Sequence, residues 1–193
     1  MKKTGSNRQV RTVGTARSLG RRRQAGIGLV ETVVSAGLGI LATVFALIVV
    51  PRYLEKQKVG EEISALSRLI PDMQMAANGE TSWASFDSTR ISNENILPAE
   101  YKTATAGSFR NRFDGVVTFA PDTRSSANDT MNMTSTQWPQ SACLTALRAI
   151  DGITTRVQVN GSTVKAFGGT LNQTTLTTQC ANAPVTTIIS FSK

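Results

Sequence analysis

The feature that most constrains this chain is an apolar run over residues 27–50, which directly follows a basic leader over residues 1–26. The run has 24 residues, and Glu31 is its only charged side chain. As an α-helix rising ~1.5 Å per residue it would be about 36 Å long, enough to cross a hydrocarbon core of ~30 Å. Because a backbone in lipid must form its hydrogen bonds internally, the run is predicted to be a membrane-spanning helix.

The positive charge of the chain is concentrated in the leader. Residues 1–26 hold 8 of the 21 Lys and Arg residues and none of the 13 acidic residues, so the remainder carries no formal net charge. The basic total therefore does not indicate a nucleic-acid partner for the remainder. Basic residues beside a membrane span tend to stay in the cytoplasm. This predicts a cytoplasmic leader and an exported segment after Pro51.

The glutamate inside the apolar run is predicted to have a function. A carboxylate in the bilayer core costs about 2.5–3.5 kcal/mol on insertion scales, so Glu31 needs a partner of opposite charge. That partner could lie one helical turn away in the same chain or on another copy of the chain. An ordinary secretory signal or an uncleaved anchor would explain the apolar run but not Glu31.

The sequence Gly-Ile-Gly-Leu-Val-Glu over residues 26–31 resembles the processing signal of type IV prepilins. In that family a basic leader ends in Gly, the first mature residue is apolar, and the fifth is Glu. The resemblance implies that a prepilin peptidase cuts between Gly26 and Ile27 and that Ile27 is N-methylated. It also implies that Glu31 directs assembly by neutralising the N-terminus of a neighbouring subunit.

The lengths of the two parts resemble those of the type IVb subgroup. A 26-residue leader and a mature chain of 167 residues are similar to those of toxin-coregulated pilins, bundle-forming pilins and the thin pili of conjugative plasmids. The implied fold class is α+β: a long N-terminal helix, with a membrane half and an amphipathic half, packed on an antiparallel β-sheet. The implied function is that of a major pilus subunit.

The segment over residues 51–79 is predicted to continue the helix with an amphipathic pattern. Apolar residues recur every three or four positions and so share one face, whereas Lys58, Glu61, Glu62, Arg68 and Asp72 fall outside that stripe. The stripe consists of Val59, Ile63, Leu66, Ile70, Met73 and Ala77. Pro51 predicts a kink, Pro71 predicts that the helix bends or ends nearby, and Asn78-Gly79 is a natural stop.

The soluble head is predicted over residues 80–193. Asn160-Gly161 favours a type I′ turn between strands at 155–159 and 162–167, and alternation predicts a further strand over 185–192. A weaker strand is expected at 116–119. Helical spacing predicts a short helix over 141–150, and the polar segment over 122–137 is expected to be an exposed loop.

Two cysteines, Cys143 and Cys180, lie in the part that is predicted to be exported. In an oxidising compartment an even pair most simply forms a disulfide, although two buried thiols are the alternative. Their position is similar to that of the disulfide that bounds the surface-exposed C-terminal region of type IV pilins. We therefore expect the pair to join the short helix to the segment before the last strand.

Catalytic and ligand-binding functions find little support. The chain has no His, and it lacks GxxxxGK[ST], GxGxxG and GxSxG motifs. The carboxylates Glu94, Glu100 and Asp114 are interpreted as solvated loop residues. Arg110 and Arg112 form a short basic and aromatic cluster, but ion pairing with nearby acids is a better interpretation than nucleic-acid binding. No enzyme activity, cofactor or metal site is expected.

The resemblance thus implies a prepilin whose precursor resides in the bacterial inner membrane and whose mature form enters an extracellular pilus. The expected partners are prepilin peptidase, other copies of the chain in a helical filament, the inner-membrane assembly machinery, and a host or recipient cell surface. The function expected is adhesion, aggregation or conjugative contact. The alternatives are a type II secretion pseudopilin, a minor pilin, and a membrane-anchored binding domain that does not polymerise.

Overall fold

A computed structural model describes residues 27–105 and 107–193 of the chain. The chain divides into two units, residues 1–46 and Leu47–Lys193. The predicted leader over residues 1–26, including Gly26 of the expected cleavage site, lies outside the described residues. The second unit contains the sheet and the hydrophobic core.

The longest element is helix α1, Ile27–Ala76, which contains both Pro51 and Pro71. The expectation for Pro71 was a bend or an end nearby; the helix does not end at Pro71 itself, since helical geometry continues for five more residues. The predicted stop at Asn78-Gly79 is confirmed: the chain leaves the helix in a turn, and Gly79 has a φ of 93°, which favours glycine.

The second half of α1 buries the face that the apolar spacing predicted. The fully or nearly buried members of the stripe are Val59, Leu66, Ile70, Met73 and Ala77, and Ile63 is half-buried. Glu62 was placed outside this stripe, and that interpretation is wrong because its exposed fraction is 0%. Three residues after Val59 and four before Leu66, it lies on the buried face.

A six-stranded antiparallel sheet forms the head, with the strand order β1-β2-β3-β6-β4-β5. The strands are β1 (Phe109–Arg110), β2 (Val116–Asp122), β3 (Thr130–Trp138), β4 (Arg156–Val159), β5 (Ser162–Lys165) and β6 (Val185–Ser192). Alternate residues on one side of the sheet belong to the hydrophobic core that also contains the buried face of α1. The fold is therefore α+β, as predicted.

Strand β3 contradicts the prediction of a loop over residues 122–137. It lies between β2 and β6, with Met131 opposite Phe191 and Met133 opposite Ile189. Both methionines are fully buried. The strand alternates Met and Ser with Thr and Asn, so the contrast in polarity between its two faces is too small to reveal the alternation.

The two strand predictions at the C-terminal end are confirmed. Strands β4 and β5 pair around Asn160 and Gly161, whose φ values of 50° and 79° both lie in the left-handed region that a type I′ turn requires. Strand β6 has the predicted bounds, and its residues Val185, Thr187, Ile189 and Phe191 are buried. The weaker strand predicted at 116–119 is also present, within β2.

Three short helices complete the head: α2 (Ser88–Asn93), α3 (Gln140–Ala149) and α4 (Gln173–Cys180). Helix α3 matches the predicted helix over 141–150. Helix α4 was not anticipated, because its four threonines have low helix propensity. Its start is fixed by Asn172, whose side chain accepts a hydrogen bond from the Thr175 amide.

Candidate functional site

The first half of α1 exposes an apolar surface. All side chains over residues 33–50 are exposed, in contrast to the buried apolar stripe of the second half. Leu47, for example, is 71% exposed and Leu41 67%. Within the described residues, α1 is the one helix that is long and apolar enough to cross a membrane. An exposed apolar surface of this size requires lipid or other apolar helices around it.

Glu31 lies in this apolar half, and its side chain is exposed. The Ser35 hydroxyl donates a 2.7 Å hydrogen bond to the backbone carbonyl of Glu31, which leaves the carboxylate oxygens out of this contact. In the part of the chain that the structure describes, Glu31 forms no ion pair. Ile27, the expected first mature residue, is the first residue of α1.

The second half of α1 is connected to the head through a buried carboxylate. The Tyr101 hydroxyl donates a 2.5 Å hydrogen bond to Glu62 Oε1, and the Arg112 amide donates one of 3.2 Å to Oε2. Burial raises the pKa of Glu62, although both hydrogen bonds and the nearby Arg112 charge act in the opposite direction. Burial and the neighbouring Glu62 also raise the pKa of Tyr101.

The Arg112 guanidinium adds two ion pairs to this contact. One nitrogen lies 3.4 Å from a Glu61 carboxylate oxygen and another 3.0 Å from Glu100 Oε1. The interpretation of this arginine as paired with nearby acids is confirmed. Together with Glu62, these residues fix the turn between β1 and β2 against α1. This role of Glu62 was not predicted from the sequence, although its spacing from Val59 indicates a place on the buried face.

The turn between β1 and β2 is built on Asn111. Its side-chain oxygen accepts hydrogen bonds from the Phe113 and Gly115 amides, and its amide nitrogen donates to the Thr136 carbonyl at 2.7 Å. Asn111 is 5% exposed and thus has a structural role. The short basic and aromatic cluster is therefore part of a folded turn.

The disulfide between Cys143 and Cys180 joins α3 to the end of α4. Both cysteines are fully buried. The bond encloses a segment of the head that contains β4, β5 and α4, which we call the disulfide-bounded region (residues 143–180). As expected, it ends just before the last strand, β6, which begins at Val185.

The scattered carboxylates do not form a catalytic pair. Glu94 pairs with Arg90, Glu100 pairs with Arg112, and Asp114 lies in the turn with a φ of 61°. Among the described residues, no group of His, Cys, Asp and Glu side chains is arranged to hold a metal ion.

Comparisons with known proteins agree with this geometry. A family model described as PilS N terminal matches residues 56–193. The structure is similar to the crystal structure of a type IVb pilin from Salmonella typhi, with a TM-score of 0.56 and 16% identity, covering 69% of this chain and 99% of that one. It is also similar to TcpA, a type IV pilin from the Vibrio cholerae El Tor biotype, with a TM-score of 0.52 and 16% identity. That match covers 70% of this chain and 99% of TcpA.

No curated protein matches the chain at a significant level. At 16% identity the two solved structures show the fold, and the family model establishes membership because it covers more than half of the chain. The predicted type IVb-like fold is thereby confirmed, and the chain is a structural subunit and not an enzyme. The chain belongs to the PilS N-terminal family of type IV pilins and is a pilus subunit.

Proposed function

We propose that this chain is the precursor of a type IVb-like major pilin, which is cleaved between Gly26 and Ile27 and polymerises into an extracellular filament. The observation that carries this proposal is the exposed apolar half of α1 with Glu31 inside it. In the precursor, lipid would surround this surface. In the filament, the same half of other copies would replace the lipid.

Cleavage would supply the charge that Glu31 requires. Peptidase action would leave a positive amine on Ile27, at the start of α1, and N-methylation would keep that charge. In an apolar filament core the amine of one subunit and the Glu31 carboxylate of its neighbour would attract each other strongly. An incoming subunit in the wrong register would leave both charges unpaired, which is costly. The pair would therefore set the register of assembly.

The head would face the periplasm before assembly and the exterior afterwards. This orientation follows from the basic leader, which favours a cytoplasmic position. The disulfide-bounded region would then lie in an oxidising compartment, as its cysteine pair requires. The filament would present the head for adhesion, aggregation or contact with recipient cells, and its assembly would need prepilin peptidase and the inner-membrane machinery.

Substitution of Glu31 tests the proposal. In cells that express the assembly machinery, Glu31→Ala should abolish filaments while leaving cleavage and membrane insertion intact. Asp72→Ala, which removes a carboxylate from the head half of the same helix, should leave filament yield unchanged. Filament counts by electron microscopy and the mass of the processed chain measure both effects. If Glu31→Ala left filaments unaffected, or if the unaltered chain never polymerised, an anchored domain would replace the pilin in this account.

A further inference from the structure

Two arginines contact the same aromatic ring on the head, away from the Glu62 contact. The guanidinium carbon of Arg124 lies 5.2 Å from the centroid of the Phe167 ring, and that of Arg156 lies 4.8 Å from it. Arg124 is in the loop between β2 and β3, Arg156 begins β4, and Phe167 follows β5. We call these three residues the arginine pair site.

The arginine pair site retains hydrogen-bond donors without partners. A guanidinium that contacts a ring through its face keeps its N–H groups directed outward in its own plane. Arg156 Nη2 pairs with Asp122 at 3.2 Å and its Nε is buried, so the donors open to a ligand are those of Arg124. Within the described residues, no carboxylate pairs with the exposed Arg124 guanidinium. The site thus has two cations and one neutralising anion.

The backbone beneath Arg124 is held in place by Asp129. Its carboxylate accepts hydrogen bonds from the amides of Arg124, Ser125 and Ser126 and from the Ser125 hydroxyl. These bonds hold the pKa of Asp129 well below its usual range, so the carboxylate stays ionised and keeps the loop closed. A loop and a ring that already fix Arg124 reduce the ordering cost of binding.

The sheet surface beside the arginine pair site is rich in hydroxyl and amide groups. On strands β2, β3, β6 and β4, the side opposite the core alternates with the buried residues and is mainly polar. Its half-buried or exposed polar members include Thr118, Asn132, Thr134, Thr186 and Gln158. Such groups both donate and accept hydrogen bonds, as the hydroxyl groups of a sugar require.

We propose that the arginine pair site binds the carboxylate of an acidic sugar in a cell-surface polysaccharide, with the neighbouring polar strand surface contacting the sugar hydroxyls. The free N–H edge of Arg124 suits a bidentate carboxylate contact. Phe167 is a positioning residue, because it orients both guanidiniums without touching the ligand carboxylate. The proposal deepens the proposed function, since it names what the displayed head contacts, but it does not depend on polymerisation.

An acidic sugar fits this surface better than a protein segment does. A peptide partner would normally contribute apolar anchors, and the apolar residues on the polar strand surface are few, namely Val116, Ala120 and Ile188. Single-stranded nucleic acid would require open aromatic faces for base stacking, and the Phe167 ring is already contacted by two guanidiniums.

The test uses the purified full chain in detergent and a galacturonic-acid tetrasaccharide, with isothermal titration calorimetry as the readout. We expect saturable binding that weakens at high salt and is absent for the neutral methyl ester of the same tetrasaccharide. Arg124→Gln should weaken binding about tenfold, as expected for a lost charge-assisted hydrogen bond. Arg110→Gln, which removes an exposed arginine from β1, should leave affinity unchanged.

Two variants of Phe167 distinguish its orientation of the guanidiniums from its contribution to packing. Phe167→Leu should weaken binding, and Phe167→Tyr, which keeps the ring, should restore it, with thermal unfolding of each variant as the control for stability. Equal binding of the methyl ester, or of Arg124→Gln, would overturn the proposal. Full competition by inorganic phosphate would show a simple anion site, and equal binding of a polyaspartate peptide would show an acidic-peptide site. Either result would also overturn it.

Discussion

The Tyr101 hydroxyl donates a 2.5 Å hydrogen bond to Glu62 Oε1, and both side chains are fully buried. The other oxygen of the carboxylate accepts from the Arg112 amide. One carboxylate on α1 therefore holds two separate parts of the head, the 3-10 turn Ala99–Tyr101 and the turn between β1 and β2. This contact stabilises the orientation of the head half of α1 against the sheet.

Removing the Tyr101 hydroxyl should destabilise the head. Tyr101→Phe leaves a buried carboxylate oxygen without its donor, and an unsatisfied buried group of this kind costs about 1–3 kcal/mol or more when charged. Urea unfolding of the full chain in detergent measures the change. Tyr53→Phe is the matched control, because Tyr53 is 68% exposed and its hydroxyl can bond to water. Equal stabilities of the two variants would contradict this role.

The buried glutamate also predicts a pH dependence. Burial raises the pKa of Glu62 above its ordinary value of 4.5, so the folded chain binds this proton more tightly than the unfolded chain. The free energy of unfolding should therefore fall as the pH rises from 4.5 through the raised pKa. Asp129 acts in the opposite direction, because its pKa is lowered and its contribution is lost as the pH falls below 3.8.

Comparison with Glu62→Gln isolates the contribution of Glu62. As the pH rises from about 4 to about 8, the original chain should lose stability relative to this variant. The glutamine does not titrate, so any dependence of this difference in stability on pH comes from Glu62 in the original chain. A difference that stays constant over this range would show that Glu62 titrates normally.

Gly115 should not tolerate a side chain. A Cβ atom at this position would lie 1.8 Å from the Thr136 carbonyl oxygen, which belongs to the neighbouring strand β3. Since neither backbone can move without breaking the turn, Gly115→Ala should destabilise the head by about 3 kcal/mol. Gly152→Ala is the control, because no atom lies within 4 Å of its added Cβ. Thermal unfolding that ranks the two variants equally would contradict this geometry.

Loss of the disulfide should destabilise the disulfide-bounded region. The bond closes a sequence separation of 37 residues. On the loop-entropy model such a closure contributes about 3–4 kcal/mol. Replacing both Cys143 and Cys180 by Ala should lower the denaturant midpoint, whereas reducing agent should have no effect on this double variant. A double variant as stable as the original chain would show that the core alone holds α3 and α4 together.

The features that could be predicted from the sequence each have one strong physical signal. The apolar stripe of α1, the Asn160-Gly161 turn and the alternation in β6 each reflect burial of one face or a required backbone angle. In α1 and β6 the contrast in polarity between the buried and the exposed positions is large. Each could therefore be placed on the chain without knowledge of its neighbours.

Other features depend on contacts that are distant in sequence. Glu62 was placed outside the apolar stripe because it is charged, and the donor that satisfies its buried carboxylate, Tyr101, is 39 positions away. Strand β3 looked like a loop because Met and Ser alternate with Thr and Asn, and its pairing with β2 and β6 overrides that weak pattern. The arginine pair site joins three separate segments, and no local spacing indicates it.

Processing as a prepilin is tested by the intact mass and N-terminal sequence of the chain, isolated from cells with and without prepilin peptidase. We expect a mature form that begins at Ile27 only when the peptidase is present, and a full-length precursor when it is absent. A chain that begins near Met1 in both cells, or that is cut within residues 35–46 in both, would contradict processing as a prepilin.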